Sequence, residues 1–329
     1  MNRFEIITPA DIRHASRMLA DPGHAALAGG VDLLDLLKQN LAAPQSLVNL
    51  KGLKGIDAIE STPDGGVKIG ALVRLHEIAT DVRVNQHYAA VAQAAGEAAT
   101  PQIRNLATAG GNLLQRPRCW YFRNPEIVCL KKGGNRCYAV GGLNRYHAIL
   151  GGGPSFIVHP SNLAPALIAF AASVHLVSPA SERTVELEQF FTLPKVDVAR
   201  ENDLKSGEIL TAVIIPPAPR GAGSAYIEAR EKQSFDWPLV SAAVVVATDG
   251  TRVREARVVM GAVAPIPWRA PAAEKTLIGA SLDRDHALRA AEAALAGAAP
   301  LADNGYKVPM AKALVRRAIL RAGGVEENA

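Results

Sequence analysis

All three cysteines of the chain, Cys119, Cys129 and Cys137, lie within nineteen residues. A disulfide framework would use an even and dispersed set of cysteines, so the clustering favours thiols that act together. Their spacings are ten and eight positions, without the C-x-x-C pair of zinc fingers and ribbons. Thiolates also bind iron–sulfur clusters, which allow longer loops. Two interpretations stay open at this point, namely a metal centre or three unrelated thiols.

Basic residues surround the cysteines, at Arg116, Arg118, Arg123, Lys131, Lys132 and Arg136. Such charges would offset the negative charge of a thiolate-bound cluster, but they are equally typical of a solvated loop. A four-iron cluster normally takes four thiolates, and the chain has three. Ser155, the first hydroxyl after a glycine turn, and His147 are the candidates for the fourth position. Taken alone, each is more often structural.

Two glycine-containing turns could bind an anion. Gly29 and Gly30 separate a predicted strand from a predicted helix, where backbone N–H groups and the helix dipole favour negative charge. The second turn, residues 107–112, adds the side chains of Thr108 and Asn112. Together they suit a diphosphate held from two sides, although glycine turns also occur for steric reasons alone. Neither turn is the G-x-G-x-x-G fingerprint, which disfavours an ordinary Rossmann site.

The elements that must position these residues begin with an alternation of short strands and helices. The pattern predicts strands at 4–7, 25–28 and 46–50, and helices at 9–19, capped by Thr8, and 31–39. This is a βαβαβ unit. A hairpin at 56–61 and 67–71 follows, and then a buried alanine-rich helix at 88–99.

The second half of the chain favours antiparallel strands. A helix at 164–172 precedes strands at 173–178, 184–187 and 208–215, which are joined by turns. The proline- and glycine-rich stretch 216–223 predicts a domain boundary, giving domains 1–220 and 221–329. The second domain is expected to contain a three-stranded meander (225–230, 239–248 and 252–261) and helices at 283–296 and 307–322.

The composition narrows the class of protein. Hydrophobic residues make up 49% and charged residues 20% of the 329 residues, which is typical of a globular protein with more than one domain. A net charge of +5 without a lysine or arginine block disfavours nucleic acid as the main partner. The first residues lack the apolar core of a signal peptide, and the longest apolar runs are too short to span a bilayer. We expect a cytoplasmic protein, or a periplasmic one exported with a signal-bearing partner.

Four motifs resemble one family when they are taken in order and at these separations. They are residues 28–34 (AGGVDLL), 107–115 (ATAGGNLLQ), 159–162 (HPSN) and 234–238 (SFDWP). The chain resembles the FAD-binding medium subunits of the molybdenum hydroxylases, the family of xanthine dehydrogenase and carbon monoxide dehydrogenase. The inserted cysteine loop, about 114–158, is similar to the variant in periplasmic aldehyde oxidoreductase and 4-hydroxybenzoyl-CoA reductase, which carries an extra [4Fe–4S] cluster.

The resemblance implies an α+β fold. Its FAD-binding domain would be vanillyl-alcohol-oxidase-like (PCMH-type), built from two α/β subdomains, and a small C-terminal domain would hold the three-stranded antiparallel sheet and helices. The implied cluster ligands are Cys119, Cys129, Cys137 and, at the fourth position, Ser155. The residues implied to bind FAD are Leu27, Ala28, Gly29, Gly30, Val31, Asp32, Leu33, Thr108, Ala109, Gly111, Asn112, Ser161, Asn162, Ile209, Leu210 and Lys232.

The chain departs from the family pattern at two of these positions. Ser155 stands where aldehyde oxidoreductases have a fourth cysteine, and a serine ligand would lower the potential of a cluster. Asn162 stands where the relatives usually have the aspartate associated with the flavin's ribose. An asparagine keeps an acceptor oxygen and loses the charge.

The function implied by the resemblance is electron transfer. Partners would be a large subunit with the molybdenum cofactor, a small subunit with two [2Fe–2S] clusters, and an external electron acceptor. The redox chemistry would belong to FAD, so we expect no catalytic side chain here. The rivals are a stand-alone FAD oxidase of the same fold and a zinc- or nucleic-acid-binding protein.

Overall fold

A computed structural model describes residues 1–232 and 236–326 of the chain. The first fifty residues form a parallel sheet with two helices, as the alternating pattern predicts. Its elements are β1 (Glu5–Ile7), α1 (Ile12–Leu19), β2 (His24–Leu27), α2 (Val31–Lys38) and β3 (Ser46–Asn49). The strand order is β1-β3-β2, so both crossovers are helical and β3 is the central strand.

The first helix begins later than predicted. Its cap is Asp11 and not Thr8, because the Asp11 carboxylate accepts a hydrogen bond of 2.7 Å from the His14 N–H. Predicted helix and strand ends elsewhere in this unit agree with the structure within a few residues.

Two strands and a set of short helices form the next layer. They are β4 (Ile59–Ser61), β5 (Val67–Gly70), α3 (Leu75–Thr80), α4 (Val82–His87), α5 (Ala89–Glu97), α6 (Pro101–Arg104), α7 (Ala109–Leu113) and α8 (Trp120–Arg123). The predicted hairpin is confirmed, with Ile59 paired to Ile69. The predicted alanine-rich helix is confirmed as α5, which is buried along most of its length.

The middle of the chain completes a five-stranded sheet. Its elements are α9 (Leu163–Ala169), β6 (Ser173–Val177), β7 (Glu182–Glu186), α10 (Leu187–Phe190) and β8 (Ile209–Ile215). The order is β4-β5-β8-β6-β7 and every pair is antiparallel, which confirms the predicted antiparallel arrangement.

The C-terminal region forms a second antiparallel sheet with helices. Its elements are β9 (Ala222–Ala229), β10 (Val240–Asp249), β11 (Arg252–Gly261), β12 (Trp268–Arg269), α11 (Pro271–Leu277), α12 (Arg284–Ala294) and α13 (Lys307–Ala322). The three long strands confirm the predicted meander, and the two-residue strand β12 adds a fourth. Helix α11 was not predicted.

The central strand β10 connects two hydrophobic cores. Ala243 and Val245 pack into the core that holds α5 and α9, whereas Val244 and Val246 pack into the core of α11, α12 and α13. Successive side chains of a strand point to opposite faces, so β10 is apolar on both. The hydrophobic core therefore continues across residue 220 without a gap.

Candidate functional site

A cavity of about 570 Å³ lies where the parallel sheet meets the five-stranded sheet and the C-terminal region. This volume is in the range of cofactor and ligand sites. Most of the residues that the sequence analysis assigned to FAD line it, namely Ala28, Gly29, Gly30, Val31, Asp32, Leu33, Thr108, Gly111, Asn112, Asn162, Ile209 and Leu210. Leu27, Ala109, Ser161 and Lys232 do not line it.

The first glycine turn has the features of an anion site. Gly30 caps helix α2 with φ of 76°, a left-handed conformation that glycine adopts without strain. In the described part of the chain, the N–H groups of Val31, Asp32 and Leu33 donate to no protein acceptor, since the first intrahelical bond runs from the Leu34 N–H to the Gly30 carbonyl. A phosphate could accept from these donors at the positive end of the helix.

Gly29 is needed for a contact between the two turns. A Cβ at this position would lie 2.2 Å from the carbonyl oxygen of Leu106, which directly precedes the second turn. Only a residue without a side chain lets the two segments approach this closely. The glycine pair therefore has two separate roles, with Gly30 shaping the end of α2 and Gly29 allowing the segments to pack.

The second turn differs from the expectation that its amides face an anion. The Ala109 N–H donates to the Val73 carbonyl and the Gly110 N–H to the Ala71 carbonyl, at 2.8 and 2.9 Å. The Gly111 N–H donates to the Thr108 hydroxyl at 3.2 Å. These hydrogen bonds hold α7 in place, and the amides are therefore not available to an anion. The turn forms a wall of the cavity, and the free N–H donors are those at the start of α2.

Hydrogen bonds join the third motif segment, residues 159–162, to the cavity wall formed by Asn112. The Ser161 hydroxyl donates to Asn112 Oδ1 at 2.6 Å and also accepts from the Ala164 N–H at 3.0 Å. Ser161 thus supports the wall formed by Asn112 without lining the cavity. His159 is buried against Phe191, with ring centroids 4.5 Å apart, and burial lowers its pKa to about 3.

Several lining residues were missed by sequence reasoning. Arg118, Glu208, Asp236 and Trp237 all line the cavity, and the Arg118 guanidinium lies 4.4 Å from the centre of the Trp237 ring. Asp236 and Trp237 belong to the SFDWP motif, which carried the signal but was not assigned a role. Ser234 and Phe235 of that motif lie outside the described residues.

The cysteine loop surrounds a second, much smaller cavity. Its lining includes Cys119, Cys129, Cys137 and Ser155, the four residues that the sequence analysis grouped as ligands. All three thiols are free, and burial raises the pKa of the Cys119 thiol to about 11. The cavity is about 10 Å³, room for roughly one water molecule. The donor set therefore suits a thiolate-bound metal group chemically.

No single-ion site is formed by these donors. Among the described residues, no group of three or more histidine, cysteine, aspartate or glutamate side chains converges closely enough to hold one metal ion. This geometry disfavours a structural zinc site, which needs four converging ligands.

His147, the alternative fourth donor, lies behind Cys119 and does not line the small cavity. Its Nε2 is 3.2 Å from Cys119 Sγ. Burial lowers the pKa of His147 to about 4. The C-terminal region holds its backbone, because Asn304 Nδ2 and Lys307 Nζ donate to the His147 carbonyl at 3.1 and 3.2 Å.

Most basic residues of the loop are paired with carboxylates. Arg123 contacts Asp32 at 2.7 Å and Asp35 at 2.9 Å, and Arg118 contacts Asp32 at 2.9 Å. Lys131 and Arg116 both contact the buried Glu201, at 2.7 and 2.6 Å. The Arg118 and Arg123 pairs fasten the cysteine loop to helix α2 of the larger cavity, and the Lys131 and Arg116 pairs fasten it to Glu201. These four basic residues are therefore not free to neutralise a cluster.

Two family models match successive parts of the chain. Residues 2–218 match the FAD binding domain in molybdopterin dehydrogenase, and residues 224–322 match the CO dehydrogenase flavoprotein C-terminal domain. The chain belongs to the FAD-binding medium subunits of the molybdopterin dehydrogenases. The recognition and the mixed α+β fold inferred from the four motifs are thereby confirmed.

Relatives match along nearly the whole chain. The aldehyde oxidoreductase FAD-binding subunit PaoB of Escherichia coli is 37% identical over 308 residues, covering 93% of this chain and 92% of its own. The carbon monoxide dehydrogenase medium chain of Hydrogenophaga pseudoflava is 28% identical, with 96% of both chains covered. The solved reconstituted CO dehydrogenase from Oligotropha carboxidovorans matches with a TM-score of 0.79 at 26% identity, covering 99% of each chain.

The larger cavity fits the cofactor of this family. Free N–H donors at the positive end of α2 suit a diphosphate, and apolar walls from Ile209, Leu210 and Leu36 suit a ring system. As a member of this family the chain is part of an oxidoreductase. In residues 1–232 and 236–326, no helix is long and apolar enough to cross a membrane.

Proposed function

We propose that this chain is the electron-transfer subunit of a heterotrimeric molybdenum hydroxylase acting on an aldehyde or an aromatic N-heterocycle. Its partners would be a large subunit with the molybdenum cofactor and a small subunit with [2Fe–2S] clusters, and electrons would leave to an external acceptor. The observation that carries the proposal is the single cavity formed by the motif segments, with free amide donors at the α2 end.

FAD, when bound, supplies the redox chemistry, and the residues of this chain hold it. The N–H groups of Val31 and Asp32 would bind the diphosphate, and Asn162 would accept from a hydroxyl of the sugar chain. The side chains of Ile209 and Leu210 would exclude water from the ring system.

The proposal also includes a [4Fe–4S] cluster on the cysteine loop. What supports it is that Cys119, Cys129, Cys137 and Ser155, separated by up to thirty-six positions in sequence, line one cavity. Ser155 would be the fourth ligand, since His147 does not line that cavity.

The test is to isolate the complex through a tag on this chain and to measure its FAD, iron and sulfide. Co-purification of two partner chains, a flavin absorption band near roughly 450 nm, and about four irons beyond those of the small subunit are expected. Loss of iron in Ser155→Ala but not in His147→Asn would support the assigned ligand. The reverse would assign the fourth position to His147.

Two results would point elsewhere. Turnover of an organic substrate by the isolated chain would favour a stand-alone FAD oxidase. A colourless protein with stoichiometric zinc would favour a zinc-binding module. We propose a cytoplasmic location, or a periplasmic one reached by export with a signal-bearing small subunit.

A further inference from the structure

A buried carboxylate sits directly behind the flavin cavity. Glu228, on strand β9, is 3% exposed at its side chain and accepts hydrogen bonds at Oε2 from Asn162 Nδ2 at 2.9 Å and from the Tyr226 hydroxyl at 2.5 Å. Its Oε1 pairs with Arg230 at 2.5 Å. Glu228 does not line the cavity, whereas Asn162 does.

These contacts fix the orientation of the Asn162 amide. An ionised carboxylate can only accept hydrogen bonds, so the NH₂ end of Asn162 must face Glu228. The Tyr226 hydroxyl keeps its proton as a donor, since burial and the adjacent carboxylate raise its pKa well above the ordinary value. Asn162 Oδ1 is then left as the free acceptor of the amide, and no protein donor in the described chain contacts it.

The same contacts explain why an asparagine stands at this position. An aspartate at 162 would place a second carboxylate within hydrogen-bonding distance of Glu228 in a buried site. Two carboxylates cannot both ionise there without a large penalty. With asparagine, the cavity wall is neutral and the negative charge lies one layer behind it.

We propose that Glu228 is a positioning residue of the flavin site, which holds Asn162 Oδ1 towards the cavity to accept a hydroxyl group of the cofactor. The proposal rests on FAD being the ligand. Residues 162 and 228 would act as a pair of one amide and one carboxylate. Exchanging the amide and the carboxylate between the two positions should therefore preserve FAD binding.

The test is a double-mutant cycle on the whole chain within its complex, with FAD as the probe and its dissociation constant measured by flavin fluorescence on the deflavinated protein. Glu228→Gln should weaken FAD binding about tenfold, because an amide at 228 no longer dictates the orientation of Asn162. Asn162→Asp should weaken it by about a hundredfold or more through carboxylate repulsion. The combined Asn162→Asp and Glu228→Gln variant should return to within about threefold of the wild type.

Recovery of FAD affinity in the double variant is the decisive outcome. If the Glu228 carboxylate only stabilised the fold, moving the carboxylate to position 162 and the amide to position 228 would not restore that affinity. A double variant as weak as Asn162→Asp alone would overturn the proposal. The proposal would also be overturned if Glu228→Gln weakened FAD binding as much in an Asn162→Ala variant as it does in the wild type. If Glu228→Gln alone does not fold, the double variant and Asn162→Asp still give the comparison.

The matched control is Glu97→Gln, which removes the other carboxylate that Arg230 contacts, at 2.6 Å, without touching Asn162. FAD affinity should stay unchanged in this variant. Equal losses in Glu97→Gln and Glu228→Gln would assign the effect to Arg230 and reject the pairing. A wild-type chain that binds no FAD would reject the proposed function itself, which separates the two failures.

Discussion

Asp32 shows how one side chain can serve two sites. It lines the flavin cavity and contacts three residues of the cysteine loop, with Oδ2 accepting from the Arg116 N–H at 2.8 Å and Oδ1 paired with Arg118 and Arg123. A carboxylate near a diphosphate would repel it if it were unpaired. The two guanidinium groups neutralise Asp32 and attach the loop to α2 at the same time.

Removing Arg123 should therefore disturb both sites. The side chain is 9% exposed, and Arg123→Gln leaves Asp32 and Asp35 with less compensation, so we expect a loss of about 2–3 kcal/mol in the free energy of unfolding and weaker FAD binding. Urea denaturation and FAD titration would measure these. Arg136→Gln is the control, because Arg136 belongs to the same loop and is exposed, with a ring contact to Tyr138. Equal losses in both variants would contradict the role of the Arg123 pairs with Asp32 and Asp35.

His159 should make stability depend on pH. Its pKa is lowered by burial to about 3, while the unfolded chain takes up this proton near pH 6.5. The neutral ring contributes stability above pH 6.5, and this stability is lost as the pH falls towards 3. Between pH 6 and 4 the His159→Gln variant should lose stability less steeply than the wild type, by about 1.4 kcal/mol per pH unit. Chemical denaturation at several pH values would measure the slopes, and parallel slopes would refute the assignment.

The sequence motifs identified candidate site residues, but they did not show which distant residues contact them in the folded chain. Ser155 could be grouped with the cysteines because it is the first hydroxyl after a glycine turn and stands where aldehyde oxidoreductases have a fourth cysteine. It lines the same small cavity as the three cysteines. The Asn162–Glu228 contact joins residues sixty-six positions apart, and no local pattern marks Glu228. Contacts of this kind depend on strand pairing across the molecule, and a single sequence does not contain them.

At the scale of elements, long periodic segments were predictable and short ones were not. The helix predicted at 307–322 has those bounds in α13, since its apolar residues recur at helical spacing over sixteen residues. Helix α11 was missed because a distant contact stabilises it. The buried Glu274 accepts from the Val258 N–H at 3.1 Å and pairs with Arg269 at 2.8 Å. A seven-residue helix has too little periodicity of its own to be recognised.

Gly223 tests how tightly β9 packs on α13. It was read as part of a linker, yet it lies within β9, and a Cβ there would be 1.9 Å from the Ala322 carbonyl oxygen. Gly223→Ala must displace backbone, so we expect a loss of about 3 kcal/mol in the free energy of unfolding. Gly52→Ala is the control, because a Cβ at Gly52 meets nothing within 4 Å. A Gly223→Ala variant as stable in urea as Gly52→Ala would show that the strand and helix can separate without cost.

At the scale of the whole molecule, the predicted division at residue 220 crosses a continuous core. Tyr226, Ala243, Val245 and Val259 belong to the same hydrophobic cluster as α5 and α9. The proline-rich stretch marks a connection in sequence, but composition alone does not show whether the parts on either side share apolar surface. The flavin cavity also draws residues from both sides of this connection.

Residues 1–220 should therefore not fold stably alone. Their α5 and α9 faces would lose the apolar cover that β10 and β11 provide. For the intact chain, near-UV circular dichroism and the fluorescence of the tryptophans should report one coincident unfolding transition in urea. Two separated transitions, or a folded 1–220 fragment with native-like dichroism, would show that the regions are independent.

Two of the attachments of the cysteine loop have a practical consequence for protein engineering. Arg118 and Arg123 hold one part of the loop to α2, while Asn304 and Lys307 hold the backbone of His147 from the far end of the chain. A graft of residues 114–158 into a flavoprotein that lacks this insertion would arrive without either anchor. A working graft would also need Asp32, Asp35, Asn304 and Lys307, which lie outside the loop. The structure of the loop therefore depends on residues spread along the chain, and residues 114–158 are not a self-contained unit.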